Sequence, residues 1–261
     1  MRELSLFSGA GGGVLASRLL GFNTIGYVEY EEYCQKIIEQ RITDGLLDAA
    51  PIFGDIRTFI SEGYADSYKG MVDVLTGGFP CQPFSVAGKK AGADDPRNMW
   101  PQTVECLRRV RPRYGFFENV PGLLNSGYFP TILREISESG YAVRWCTLGA
   151  DDVGAPHRRK RLWILAYSEG VRGIRELREL SKKNESQRKP EECRKKEAEQ
   201  LEYASEFGGW WDKDPAEYGA EPRLGRVAYG VANRVDRLKA IGNGQVPAVA
   251  AAAWHVLCPE I

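Results

Sequence analysis

Residues 4–20, LSLFSGAGGGVLASRLL, put an apolar run, a glycine-rich turn and an apolar-periodic helix in immediate succession. No other feature constrains the fold as much, because a strand that feeds straight into a helix opens a β-α-β unit. Further short apolar runs follow at 24–29, 72–78, 114–120, 143–148 and 160–167. Several are apolar on both faces, as strands covered by helices on both sides must be. Helical patterns lie between them at 12–20, 31–41, 101–111 and 129–140. The alternation predicts an α/β protein with a Rossmann-like, doubly wound, mostly parallel sheet.

After Tyr167 the pattern breaks. From Glu169 to Glu202, 19 of 34 residues are charged, too many for a buried face, so this stretch reads as a solvated helix or an insertion. From Phe207 the chain is rich in Gly, Trp and Pro, and it then reaches AIGNGQVPAVAAAAWHVL (240–257), a Gly/Asn turn before an Ala-rich helix. No run approaches the roughly 20 apolar residues of a membrane span, which favours a soluble, cytoplasmic protein. The six cysteines form no CxxC pair and there are two histidines, so neither a zinc site nor a disulfide framework is expected. Basic and acidic side chains balance at 35 each, which leaves nucleic-acid binding open in either direction.

Four constellations carry chemistry. In the first turn Gly9, Gly11 and Gly13 recur at every second position and Val14 stands where a dinucleotide fingerprint has its last glycine, so the loop is either a ligand cradle of another kind or merely a tight turn. Glu29 ends the second apolar run about 20 residues on, where a carboxylate commonly holds ribose hydroxyls, and Asp55 stands at a third strand-end-like position. GGFPCQPFS (77–85) sets Cys81 between Pro80 and Pro83 in a stiff turn after a strand. That is poor core material and a good mount for a thiolate nucleophile. YGFFENV (114–120) is apolar up to Glu118, and a carboxyl at the mouth of an apolar strand is pushed toward its protonated, proton-donating form. APHRRKRLW (155–163) leads Arg159 and Arg161 into a strand, where alternate residues share a face suited to phosphate or a polar base edge.

Taken in order, FSGAGG (7–12), GFPCQPFS (78–85), ENV (118–120), RRKR (158–161) and GNGQVP (242–247) resemble the DNA cytosine-5 methyltransferase family. The resemblance implies a class I S-adenosylmethionine methyltransferase fold. Its catalytic, cofactor-binding domain would span residues 1–167 and 223–261, with a short target-recognition lobe at 168–222. It also implies roles. Phe7, Ser8, Gly9, Gly11 and Gly12 would wrap S-adenosylmethionine, with Glu29 on its ribose and Tyr30 nearby. Asp55 and Ile56 would meet adenine, and Pro80, Trp100 and Asn243 would complete the pocket. Cys81 would attack C6 of a flipped-out cytosine while Glu118 shares a proton with N3, supported by Arg161 and less directly Arg159. Gln82, Ser85, Lys89 and Arg97 would lie on a loop closing over double-stranded DNA, with Arg237 as a further DNA contact. A cognate restriction endonuclease is the partner such enzymes can have, and the family includes short phage enzymes; oligomeric state is left open.

The family's recognition segment often exceeds a hundred residues, whereas about 55 are available here, which implies a reduced, compact or partner-assisted readout. Three other readings fit less well. The RNA-directed branch of the family usually carries a late Cys-Phe-Thr tripeptide, and none occurs. A silent DNA-binding relative would not need Cys81, Glu118 and Arg161 together. A nicotinamide oxidoreductase would leave both PCQ and ENV unexplained.

Overall fold

The computed structural model describes residues 1–80, 97–168 and 234–258. The expected recognition region therefore lies, beyond Ser168, outside the described residues. Chain order is β1 (Arg2–Leu6), α1 (Gly12–Leu19), β2 (Asn23–Val28), α2 (Glu32–Thr43), β3 (Ile52–Phe53), α3 (Ile56–Ser61), α4 (Tyr64–Ser67), β4 (Val74–Gly78) and α5 (Trp100–Val110), followed by β5 (Tyr114–Asn119), α6 (Phe129–Glu138), β6 (Tyr141–Leu148), β7 (Arg161–Ser168), α7 (Arg234–Asn243) and α8 (Pro247–Leu257).

Among the described residues the strands form one sheet in the order β3-β2-β1-β4-β5-β7-β6. Strands β1 to β5 pair in parallel, and β7 runs antiparallel to both β5 and β6. The doubly wound, mostly parallel class expected from the alternation is the one observed. From β1 the chain winds outward to β2 and β3, then returns to continue through β4 and β5 on the other side. That reversal opens a crevice at the carboxyl ends of β1 and β4, where such sheets bind ligands.

Strand alternation sorts side chains to two cores. Leu75, Phe117, Leu162 and Ile164 join Leu4, Leu6, Phe59, Trp100 and Leu107 on the face covered by α3 to α6. Val74, Phe116 and Trp163 join Phe22, Ala250, Ala253 and Trp254 under α1 and α8. Helix α5 buries Trp100, Thr103, Val104, Leu107 and Val110, the spacing of one helical face. The alanines of α8 are buried from Ala248 to Ala253, and that small surface lets the helix sit close to the sheet. Trp254 then meets Phe22 edge-on at 5.1 Å and Phe116 at 5.4 Å.

The sequence reading differs from the structure in three places. Between residues 45 and 71 only a strand end near Asp55 was expected, which β3 supplies just upstream; α3 and α4 also occur there, each six residues or shorter, too brief for a periodic signal. The Gly/Asn turn expected at 242–243 begins later, because α7 continues through Asn243 and the break falls at residues 244–246. The strand read from residue 160 starts at Arg161, so Arg159 precedes it and does not share its alternation.

Glu3, in the central strand, was not singled out from the sequence. It is wholly buried, and its carboxyl accepts hydrogen bonds from Ser17 (2.7 Å) and Thr76 (2.6 Å) on Oε1 and from Thr24 (2.7 Å) on Oε2. Burial raises its pKa, against the lowering effect of the three hydroxyls. A raised folded-state pKa favours the folded protein most below the unfolded carboxylate's pKa, and that advantage fades as pH rises through the folded value. Glu3→Gln keeps two acceptor bonds on Oε1 and can donate to Thr24. The variant's Tm should therefore gain on the wild type by a few degrees between about pH 4.5 and 8. Melting both proteins across that range checks it, and a pH-independent difference would contradict the assignment.

Candidate functional site

The first turn shapes the site through backbone conformation. Phe7 takes a left-handed φ of 51°, rare for a bulky residue, and Gly9 (55°) and Gly11 (90°) follow it. Gly11 caps α1, whose amino end therefore opens at the crevice. Ser8 is tied inward by its hydroxyl to Ser5 O (3.1 Å) and its N–H to Val28 O (3.2 Å). Glu29 at the end of β2 is 6% exposed and accepts the N–H of Gly9 on one oxygen (2.6 Å) and of Glu31 on the other (2.8 Å). Its first task in the fold is thus to hold the glycine loop, with acceptor capacity per oxygen beyond a single bond.

The crevice encloses about 630 Å³ of empty space, part of it open to solvent. Phe7, Ser8, Gly9 and Gly12 line it with Gly77 and Gly78 of β4 and with Asn243, Gly244 and Gln245 of the last turn. Seven expected cofactor residues are not in this lining: Gly11, Glu29 and Pro80, and four placed as follows. Trp100 has no exposed surface; it packs 5.0 Å from Phe79 and donates its indole N–H to Glu135 (2.5 Å), so it supports the crevice from the core. Ile56 is buried in that same core. Asp55 caps α3 by accepting the Arg57 N–H (2.8 Å) and pairs with the Arg57 guanidinium (3.6 Å). Tyr30 is 72% exposed just past β2.

At the end of β5, Glu118 is 8% exposed and its Oε1 accepts from Arg161 Nε at 2.8 Å. Burial pushes its carboxyl upward, while Arg161, Arg159 and a hydrogen bond from Gln245 pull the other way. The upward direction expected for a carboxyl at an apolar strand mouth is the direction found. Arg159 is half-buried and clamps the last turn, donating to Gly242 O (2.7 Å) and Gly244 O (2.5 Å) on either side of Asn243. Burial lowers its pKa, and so does the neighbouring Arg161 charge, while Glu118 opposes.

Cys81, Gln82, Ser85 and Lys89 lie outside the described residues, and so does the side chain of Arg237, whose backbone belongs to α7. The mount of Cys81 is described. Gly77 and Gly78 pair with Phe117 and Glu118, and Phe79 O accepts from Asn119 Nδ2 (3.0 Å). Pro80 O accepts the Met99 N–H (3.2 Å), so the two ends of the 81–98 stretch meet beside β5. Arg97 is exposed on the returning end. Two residues missed from the sequence emerge here: Asn119, which ties the cysteine's stem to the Glu118 strand, and Gln245, which reaches Glu118 from the last turn. Both stand inside the motifs already singled out, but nothing in their spacing told which neighbour they meet. A thiol elsewhere shows the contrast: Cys106 is buried and pushed up to about 12, which leaves it inert.

Gly12 is required by space, since an added Cβ would stand 2.6 Å from Gln245 O. Gly12→Ala should destabilise the protein by roughly 1–3 kcal/mol, because a backbone carbonyl cannot turn aside. Gly13→Ala meets only the end of the Gln245 side chain, at 2.7 Å, and should cost less. Denaturant melts of the pair check the order; equal losses would mean that the turn is not packed on the loop.

A family model described as C-5 cytosine-specific DNA methylase matches residues 1–218. Among curated proteins, the type II methyltransferase M.NgoMIV of Neisseria gonorrhoeae is 34% identical over 168 residues, 63% of this chain and 51% of that protein. The type II methyltransferase M.AquIA of Picosynechococcus is 35% identical over 184 residues, 64% of this chain and 72% of that one. The Dnmt2 methyltransferase of S. pombe shares the fold at a TM-score of 0.50 and 23% identity, over 64% of this chain and 49% of that structure. The chain spans about half the length of most of the curated relatives it matches. With the family model covering residues 1–218 of 261, and with the glycine loop, the Glu118–Arg161 pair and the last turn gathered at one crevice, the chain belongs to the C-5 cytosine-specific DNA methylase family.

Proposed function

We propose that the chain transfers a methyl group from S-adenosylmethionine to C5 of cytosine in a specific sequence of duplex DNA, as restriction-modification and phage enzymes do. The observation that carries this is the Glu118 carboxyl, buried, raised in pKa and held by Arg161 at 2.8 Å, next to Gly78 and Gln245, which line the crevice with the glycine loop. A crevice beside a buried proton donor would fit many reactions. A proton donor one strand away from the stem of a cysteine fits nucleophilic attack on an electron-poor ring.

The residues fit the cofactor. The left-handed Phe7-to-Gly11 turn lays backbone N–H groups beside the crevice at the amino end of α1. Phe7, Ser8, Gly9 and Gly12 would hold S-adenosylmethionine with Asn243, and Glu29 and Tyr30 at the end of β2 would meet its ribose. Asp55 and Ile56 would meet adenine across the amino end of α3, and Pro80 would close the pocket over Trp100. When bound, this cofactor supplies the electrophilic methyl group that the activated C5 takes up.

The chain's own residues do the rest. The Cys81 thiolate adds to C6 of cytosine, and Glu118 gives a proton toward N3, so that negative charge does not build on the ring. Arg161 keeps the carboxyl oriented. Once C5 is methylated its proton is lost to solvent, the C5–C6 double bond re-forms, the Cys81–C6 bond breaks to return the thiolate, and N3 gives its proton back to the Glu118 carboxylate. These atoms are inaccessible in a stacked duplex, so the cytosine must be flipped out. Gln82, Ser85, Lys89, Arg97 and Arg237 are assigned to DNA, and residues 168–222 to target choice.

Incubation with labelled cofactor and duplex DNA, RNA or no nucleic acid tests the reading. Label should enter duplex DNA at cytosine C5. Incorporation only into RNA, or none at all, would overturn it.

A further inference from the structure

Three glycines from two separate motifs are cleared for one residue, Gly12 for its backbone and Gly13 and Gly78 for its side chain. An added Cβ on Gly12 would stand 2.6 Å from Gln245 O, on Gly13 2.7 Å from Gln245 Oε1, and on Gly78 3.0 Å from Gln245 Nε2. None of the three has a left-handed φ, so glycine is not needed there for backbone conformation. What they share is the room they leave. Gln245 fills it, running from the cofactor loop across the end of β4. At its far end Glu118 Oε2 stands 2.8 Å from the same vacant Gly78 position, and the Gln245 amide hydrogen-bonds the Glu118 carboxyl. Arg161 Nε holds the opposite oxygen, Oε1, at 2.8 Å. The base of Gln245 is fixed in turn by the Arg159 clamp on Gly242 and Gly244.

We infer that Gln245 is a positioning residue for Glu118, holding its second oxygen from the cofactor side of the crevice while Arg161 holds the first from β7. A carboxyl gripped at one oxygen can swing about its last torsion, whereas two donors on different elements fix its plane. The arrangement also joins the turn that carries Asn243 to the proton donor, so a shift of the cofactor-binding turn is felt at Glu118. The kinetic consequence rests on the proposed methyl transfer; the geometric one does not.

The test separates the two. The charged groups facing Glu118 are Arg161 and Arg159, and both are left intact. Glutamate carboxyl carbons are labelled for NMR, with Glu118→Gln identifying the Glu118 signal. In Gln245→Met, close in length but without donors, the Glu118 midpoint should move to higher pH, and kcat should fall roughly tenfold or more with the cofactor KM within about threefold. In the wild type, the Gln245 side-chain amide protons should titrate with the Glu118 midpoint, a reading that needs no variant to fold. If those protons ignore that midpoint, or a folded Gln245→Met leaves it unmoved, the inference fails. If instead the midpoint moves but the wild type methylates no nucleic acid, the inference stands and the proposed function fails.

Discussion

Cys81→Ser is expected to remove methyl transfer almost entirely, by roughly four orders of magnitude or more, the scale on which losing a covalent nucleophile acts. A serine hydroxyl is far less ionised than a thiol near neutral pH, so it supplies far less of the attacking anion. The cofactor should still bind within about threefold, because its contacts belong to the glycine loop, the end of β2 and the last turn. Duplex DNA containing 5-fluorocytosine makes the result specific. With the wild type a covalent adduct should accumulate, since fluorine cannot leave as the C5 proton does. A stable adduct formed by Cys81→Ser would show that another group attacks C6.

The second large effect concerns Glu118. Glu118→Gln should lower kcat by about 10² to 10³, the range for removing a placed proton donor, while cofactor and DNA affinity change little. Glutamine preserves the shape and can still hydrogen-bond to a ring nitrogen, but it has no acidic proton to give. The pH profile adds a sign. Burial raises the Glu118 carboxyl against the pull of Arg161, so the proton-bearing form persists to higher pH than for an exposed glutamate. Turnover limited by that proton is full below the folded pKa and falls as pH rises through it. Glu118→Gln should lose that limb. A variant that retains both the rate and the limb would remove Glu118 from the reaction.

How far the sequence reached can be judged residue by residue. Sheet class, helices α1, α2, α5, α6 and α8 and the strand ends at Glu29, Gly78 and Glu118 were legible, because long apolar periodicity is a local property and strands in a covered sheet advertise themselves. The short α3 and α4 were not, since elements of four to six residues are stabilised by what they touch. Motif chemistry was likewise legible where residue type alone decides it. A carboxyl closing an apolar run is raised by burial, and Glu118 is, whereas the alternation read for Arg159 and Arg161 does not hold because Arg159 precedes the strand.

Partnership is what only the tertiary structure decided. Glu29, expected at a ribose, is seen first to hold Gly9 N–H at 2.6 Å, and Trp100, expected at the pocket, stands wholly inside the core with its N–H on Glu135. Arg159, expected beside the cytosine, grips the carbonyls around Asn243. Glu3 looked like one more strand residue, yet three hydroxyls from α1, β2 and β4 converge on it. Gln245 is the sharpest case. Its motif was visible, but Gly12, Gly13 and Gly78 make room for it only after the sheet has brought residues 12, 78, 118 and 245 to one point. Periodicity and residue chemistry are written along the chain. Which side chain meets which across more than a hundred residues depends on loop closure and packing, and that is a property of the folded sheet.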